Sequence, residues 1–252
     1  MFFINFIEYV GDRVIKYSLF TYDFIIFLLK CFWNIFLPSN YGKSSRILFV
    51  KQIYLSAIKN IFSFIFLALF LGSILIVIAI SFAINFSLVE QIGDLLVLFV
   101  INEFSPFFTT IFFMLVYTLL LEGNNQNLKI KTNDLPSKIY IPKLITGLFI
   151  VPLMSLLFAT VMLVSGYIVS SLYLNIDFIT YKNLIINSIS FENILILLSK
   201  ASIFGFISVL IPIYSVHLKK TNYDVKKIVI KNLIIILNML ILVELLFILI
   251  LY

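Results

Sequence analysis

Charge is scarce in this chain. Of its 252 residues 12% are Asp, Glu, Lys or Arg, while 62% are apolar. A globular domain carries about a quarter charged and about half apolar residues. No soluble core could hide so much apolar surface, so lipid must take the place of water. Cysteine is scarcer still: Cys31 stands alone, which excludes an intrachain disulfide and any cysteine-rich metal site. Set among aromatic residues, it reads as an inert apolar side chain. The one histidine, His217, lies where an apolar run meets a basic loop, a place that suits an interfacial residue better than a catalytic one. The serines therefore lack a histidine placed to activate them. The segment GNNQN at Gly123–Asn127 lacks the glycines and the Lys-Ser/Thr pair that cradle phosphates. Met1–Val10 has neither the basic start nor the cleavage site of a secretory leader. Neither catalysis, nor a metal, nor a cofactor is expected of this chain.

What is present is a series of long apolar runs separated by short polar stretches. The net charge of +6 could indicate nucleic acid, but the cations cluster between apolar runs, as in a membrane protein. No nucleic-acid partner is expected. Within residues 1–45, Leu19–Leu37 is apolar and aromatic but interrupted by Asp23 and Lys30. That mixture predicts an amphipathic helix lying in the membrane interface, with a full span as the alternative. PSNYGKSSR at Pro38–Arg46 reads as a loop. Five spans follow, at Ile61–Val89, Ile92–Leu121, Leu144–Ile176, Asn193–Leu218 and Asn232–Leu251. Gly72 and Ser73 give the first a spot where another helix can approach closely. Gly147, Pro152 and Gly166 predict a kink or a break in the third. Asp177–Glu192 suits an external connector with a short surface helix. The stretches 1–60, 122–143 and 218–231 hold 16 of the 18 Lys and Arg residues. They are therefore placed inside with the amino terminus, and the carboxy terminus outside. The expected fold is all-α: interfacial helices over 1–45 and a five-span membrane domain over 46–252.

The second span organises the rest. It carries Glu103 and Pro106 well inside its apolar run. A charged side chain at the bilayer centre costs about 2.5–3.5 kcal/mol on insertion scales. Pro106 removes a backbone donor and crowds the carbonyl four residues earlier, that of Asn102. Together they predict a kinked helix with its acid turned into protein. Lys200 of the fourth span and Glu244 of the fifth lie at the depth of Glu103, roughly 10 Å below the outer surface at about 1.5 Å per residue. If those helices adjoin, one base stands between two acids, one carboxylate can carry a proton, and their titrations are coupled. The alternative is that each side chain reaches the surface separately. On the first span Leu75, Ala79, Phe82 and Phe86 recur at helical spacing. With Phe104 they are candidates for lipid contact, in competition with ordinary helix packing.

Five segments carry a family resemblance. KQIYLSAIKNIFSFIFLALFLGSILI (Lys51–Ile76), NEFSPFFT (Asn102–Thr109), IPKLITGLFIVPLMSLLF (Ile141–Phe158), LSKASIFGFI (Leu198–Ile207) and VELLFILIL (Val243–Leu251) occur in the order found in the MlaE/YrbE permeases. The chain resembles that family from about Arg46 onward. The family's members are membrane subunits of ABC transporters that move phospholipids with MCE proteins. The resemblance implies a homodimer, or a heterodimer with a paralogous permease, in a bacterial inner membrane, a plastid inner envelope being the less favoured home. It implies a cytoplasmic ABC ATPase below, an MCE-domain partner outside, and phospholipid in a cavity between the two permeases. It also implies a buried acid, base and acid at Glu103, Lys200 and Glu244. The chain departs from the pattern after the second span, where MLVYTLLLEGNNQ replaces a glycine-arginine signature. The segment that would dock on the ATPase is shortened, leaving Glu122 and the LPSK turn, with Leu135, Pro136 and Lys138, as coupling candidates. Asn102 stands where the family carries a base, and the last cytoplasmic loop lacks the family's Gly and Thr pattern. Two other functions compete: a secondary transporter using the intramembrane charges, and a non-transporting assembly subunit.

Overall fold

In hydrocarbon every backbone donor and acceptor must be satisfied within the protein, and a helix does so within one segment. The long apolar runs accordingly form helices. The computed structural model describes residues 11, 22–86, 91–125, 137–217 and 225–251, and among these there is no strand. Helix α1 covers residues 22–35. It is followed by α2 (Lys43–Ser56), a 3-10 turn at Ile58–Asn60, and α3 (Ile61–Asn85). Helix α4 is continuous through three parts: Ile92–Leu96, a π-helical stretch Val97–Phe104, and Ser105–Asn125. Then come α5 (Ser137–Leu174), α6 (Phe178–Ser188), α7 (Phe191–His217) and α8 (Val225–Leu251). Five helical stretches are long and apolar enough to cross a membrane: Lys43–Asn85, Ile92–Val116, Tyr140–Leu172, Phe191–Ser215 and Val229–Ile250. The chain is an all-α polytopic membrane protein.

The centre of the bundle is α5, flanked by α3 and α7. Small residues let these backbones approach. A methyl group on Gly72 of α3 would lie 2.6 Å from the Met162 Cα of α5, and one on Gly147 of α5 would lie 2.5 Å from the Gly205 carbonyl of α7. Gly166 faces Ile76 in the same way. Here the expectation of a break in the third span fails. The 38-residue helix α5 runs uninterrupted past Pro142 and Pro152. Its glycines are contact points, and the helices packed on both sides hold it together where proline removes a hydrogen bond. At about 57 Å it exceeds the hydrocarbon thickness of about 30 Å and so projects beyond it.

Two boundaries also differ from those read in the sequence. The expected loop at Pro38–Arg46 contains a 3-10 turn (Pro38–Asn40), and α2 already begins at Lys43 behind Gly42. Helix α5 starts at Ser137, because Pro142 and Lys143 sit inside its first turns and do not precede it.

Helix α1 has two faces. Cys31 is buried, and Phe24 and Phe27 lie with ring centroids 5.0 and 5.2 Å from that of Tyr214 on α7. Burial pushes the Cys31 thiol up to about 11, so it carries no charge at neutral pH. Tyr22, Ile25, Leu29, Phe32, Trp33 and Phe36 are exposed on the other side, as are Asp23 and Lys30. The connector at Asp177–Glu192 forms the surface helix α6, whose Asp177 caps it by accepting from the Thr180 amide at 3.3 Å.

Candidate functional site: a buried Glu–Lys–Glu cluster

Pro106 has no amide hydrogen, so the Asn102 carbonyl one turn earlier loses its intrahelical donor. There α4 widens into the π-helical stretch Val97–Phe104, a geometry frequent at functional sites. The freed carbonyl is not left empty. Lys200 Nζ, from α7, donates to Asn102 O at 3.0 Å. The same ammonium donates to Glu103 Oε2 at 2.6 Å and to Glu244 Oε1 of α8 at 3.0 Å. An ammonium has three donors, and all three are used. The Lys200 side chain is 0% exposed, and those of Glu103 and Glu244 are 16% and 18% exposed. Its Nζ also lies 5.5 Å from the Phe247 ring centroid, within cation–π range.

One base and two acids give the cluster a charge of −1 when both carboxyls are ionised. Lys200 accounts for one oxygen of each carboxylate. Their other oxygens, Glu103 Oε1 and Glu244 Oε2, are buried and have no hydrogen-bond partner among the described residues. A single proton held between the two acids would neutralise the cluster. Next to them, the Asn102 side chain donates to Asn193 Oδ1 at 3.2 Å, and Asn193 donates to the Ser188 carbonyl at 3.3 Å. Ser105 donates to the Ser155 carbonyl of α5. Helices α4, α5, α6, α7 and α8 are thus tied together within two helical turns of Pro106.

The cluster borders an open groove of about 210 Å³ between α4 and α8, lined by Glu103, Phe104, Phe107, Ile241, Glu244 and Leu245. Its surface is apolar, with Glu103 and Glu244 among its lining residues but their unbonded oxygens buried. Such a groove fits an acyl chain better than a polar solute. The Phe104 ring stacks with those of Phe99 and Phe108, at 6.2 and 5.7 Å. A second cavity, of about 120 Å³, lies between Tyr41, Ser45, Arg46, Phe49, Pro142 and Ile145. Among the described residues no three His, Cys, Asp or Glu side chains converge to hold a metal ion.

The structure brings Glu103, Lys200 and Glu244 together and adds Phe104 at the groove. The other lipid-contact candidates lie elsewhere. Phe82 and Phe86 are exposed, their rings 4.4 Å apart, while Leu75 and Ala79 are half-buried against the α3–α5 core. None of the four lines the groove. Of the coupling candidates, Leu135 and Pro136 fall outside the described residues, as do the side chains of Glu122 and Lys138. Sequence reasoning missed Asn193 and the Lys200 bond to the Asn102 carbonyl. The second was findable, since an unpaired carbonyl behind an intramembrane proline calls for a donor.

No curated protein matches the chain. The family model described as Permease MlaE matches residues 49–118 and 127–250, which take in all three members of the cluster and both walls of the groove. With well over half its length matched, the chain belongs to the MlaE permease family.

Proposed function

We propose that this chain is the membrane subunit of an ATP-driven ABC transporter that moves phospholipids between the inner membrane and an MCE-domain protein outside it. The single observation that carries the reading is the family match, which runs through the spans that build the cluster. ATP hydrolysis belongs to a cytoplasmic ATPase partner, because the chain offers no phosphate-cradling loop. Glu122, Leu135, Pro136 and Lys138 are its proposed contacts. Residues 1–45 form the interfacial part and 46–252 the permease proper. The distribution of Lys and Arg supports an amino terminus in the cytoplasm and a carboxy terminus in the periplasm.

In this reading the groove of Phe104, Phe107, Ile241 and Leu245 receives an acyl chain. The Glu103–Lys200–Glu244 cluster holds α4, α7 and α8 in register beside it. Because its three bonds join three helices at one atom, a relative movement of α8 must break at least one of them. That gives the cluster a part in coupling groove opening to the ATPase cycle.

Purification of the complex from native membranes tests the reading. Co-purification of an ATPase and an MCE-domain protein, with ATP-dependent phospholipid transfer in reconstituted vesicles, is the expected result. Lipid or proton flux by this chain alone would favour the secondary transporter. Co-purification without ATP-dependent transfer would favour an assembly subunit.

A further inference from the structure

The second cavity, of about 120 Å³, takes no part in the charge cluster. It lies where the first turns of α2 and α5 meet, between Tyr41, Ser45, Arg46, Phe49, Pro142 and Ile145. Pro142 and Ile145 stand at the start of the Tyr140–Leu172 span. At about 1.5 Å per residue the cavity is therefore within roughly 8 Å of that span's end, close to the depth of lipid headgroups. Apart from Ser45 and Arg46 its lining is apolar or aromatic. Water gains little from entering such a cavity, so hydrocarbon is what fills it well.

Arg46 both lines the cavity and is exposed. An arginine does this by laying its methylene stem along apolar surface while its guanidinium stays outside. Lys43, one turn earlier on α2, is exposed as well. Among the described residues neither cation forms an ion pair, and none of the lining residues is acidic. Beside them Ile47, Val50 and Tyr54 present an exposed apolar strip along the same helix. The groove at Glu103 and Glu244 has the opposite character, since its charged residues are carboxylates. An apolar void under unpaired cations calls for an occupant in which an anion is joined to hydrocarbon.

We infer that this cavity binds an anionic phospholipid of the cytoplasmic leaflet. Arg46 and Lys43 hold its phosphate, and the upper part of an acyl chain enters between Phe49, Pro142 and Ile145. A guanidinium meets two phosphate oxygens at once, and the Lys43 ammonium adds a second positive charge. Basic pockets between membrane helices on the cytoplasmic side take anionic headgroups in this way. Free phosphate could pair with Arg46 but would leave the apolar void unfilled. A zwitterionic lipid would fill the void but bring its own cation beside Arg46 and Lys43. The site is separate from the groove proposed for cargo, and its occupant is a resident lipid wedged between α2 and α5. Its assignment to the cytoplasmic leaflet rests on the topology proposed above.

The chain has one tryptophan, Trp33, which makes a fluorescence test simple. Phe49→Trp in a Trp33→Phe background puts the sole tryptophan in the cavity wall. The full-length protein is reconstituted in phosphatidylcholine bilayers, and quenching by brominated phosphatidylglycerol is compared with quenching by brominated phosphatidylcholine. The anionic lipid should be preferred by at least about five-fold, the worth of one basic residue at an anionic surface. Arg46→Gln should remove most of that preference and Arg46→Lys should keep part of it. Lys51→Gln, exposed further along α2 and outside the cavity lining, should leave it unchanged. Equal quenching by the two lipids, a preference that survives Arg46→Gln, or one lost equally in Lys51→Gln would overturn the inference. So would its loss on adding inorganic phosphate at constant ionic strength, which would mark a site for the free anion. Native mass spectrometry of the unsubstituted protein from mixed bilayers gives a second reading. It should retain phosphatidylglycerol over phosphatidylcholine, and Arg46→Gln should not; no such retention would overturn the inference too. Neither readout needs an ATPase or transport. A preference without a co-purifying ATPase supports the lipid site alone, and an ATP-driven complex without the preference rejects the lipid site alone.

Discussion

Lys200 and Asn238 are polar side chains on neighbouring membrane helices, and the protein treats them in opposite ways. Lys200 is 0% exposed, and each of its donors has an acceptor supplied by this same chain. Asn238 is exposed, and among the described residues nothing bonds to it. Their helices differ to match: half of the α7 span is buried within the bundle, against 11% of the α8 span. Polar groups in hydrocarbon are retained where something partners them. Lys200 has its partners inside the fold, whereas Asn238 has none among the described residues. Substitution at the first should therefore damage the fold, whereas substitution at the second should leave it intact.

The largest expected effect is at Lys200. Lys200→Met strands two carboxylates and the Asn102 carbonyl, and breaking a buried ion pair from one side costs about 3–5 kcal/mol. Thermal unfolding in detergent should show the loss, together with lost transport. Lys182→Ala on the exposed surface of α6 should stay within about 0.5 kcal/mol of the parent. Equal tolerance of the two would remove the cluster from the account. An intermediate effect belongs to the helix contacts that bring the cluster together. A methyl at Gly205 would press on the Gly147 backbone and on Val151, so Gly205→Ala should cost about 1–3 kcal/mol. Gly42→Ala meets nothing within 4 Å and, beyond the modest N-cap preference for Gly, should cost less than about 1 kcal/mol by the same assay. Asn238→Leu, by contrast, should leave unfolding within about 0.5 kcal/mol of the parent, since the side chain is exposed and unbonded among the described residues.

The smallest effect lies outside the membrane, at Asp177. Its hydrogen bonds from Thr180 hold the carboxyl below its ordinary value of 3.8. A lowered folded value means the cap contributes fully above that ordinary value and is lost as the pH falls through the lower one. Hydrogen exchange should therefore show α6 losing protection in acid below about that pH. In Asp177→Asn the acid-dependent part of that loss should vanish.

Much of this architecture was legible in the sequence, because membrane insertion imposes length and charge rules that act residue by residue. The spans follow from uncharged runs, and the cluster follows from three charges at one depth, since an isolated charge there would be too costly. What was not legible depended on pairs of helices. Gly147 and Gly166 looked like breakers of α5, yet they are where α7 and α3 come closest, a fact that only the partner helix discloses. The stripe from Leu75 to Phe86 has helical spacing, but α3 is apolar on every side, so periodicity could not tell Leu75 against the core from Phe82 in the open. The π-helical stretch before Pro106 left no mark in the residue pattern, and the Asn102 carbonyl within it is met by Lys200 from another helix. Asn193 was passed over because an Asn at a span end looks like any interfacial residue until Asn102 is seen to reach it.

The account rests on Lys200 joining α4, α7 and α8 at one atom. The most direct measurement compares the unfolding free energy of Lys200→Met with that of the triple variant Lys200→Met, Glu103→Leu, Glu244→Leu. If the cluster is a mutually compensating unit, the single variant loses about 3–5 kcal/mol and the triple regains most of it, since apolar residues of similar volume can replace a whole buried ion cluster. A single variant as stable as the parent, or a triple no more stable than the single, would contradict the account.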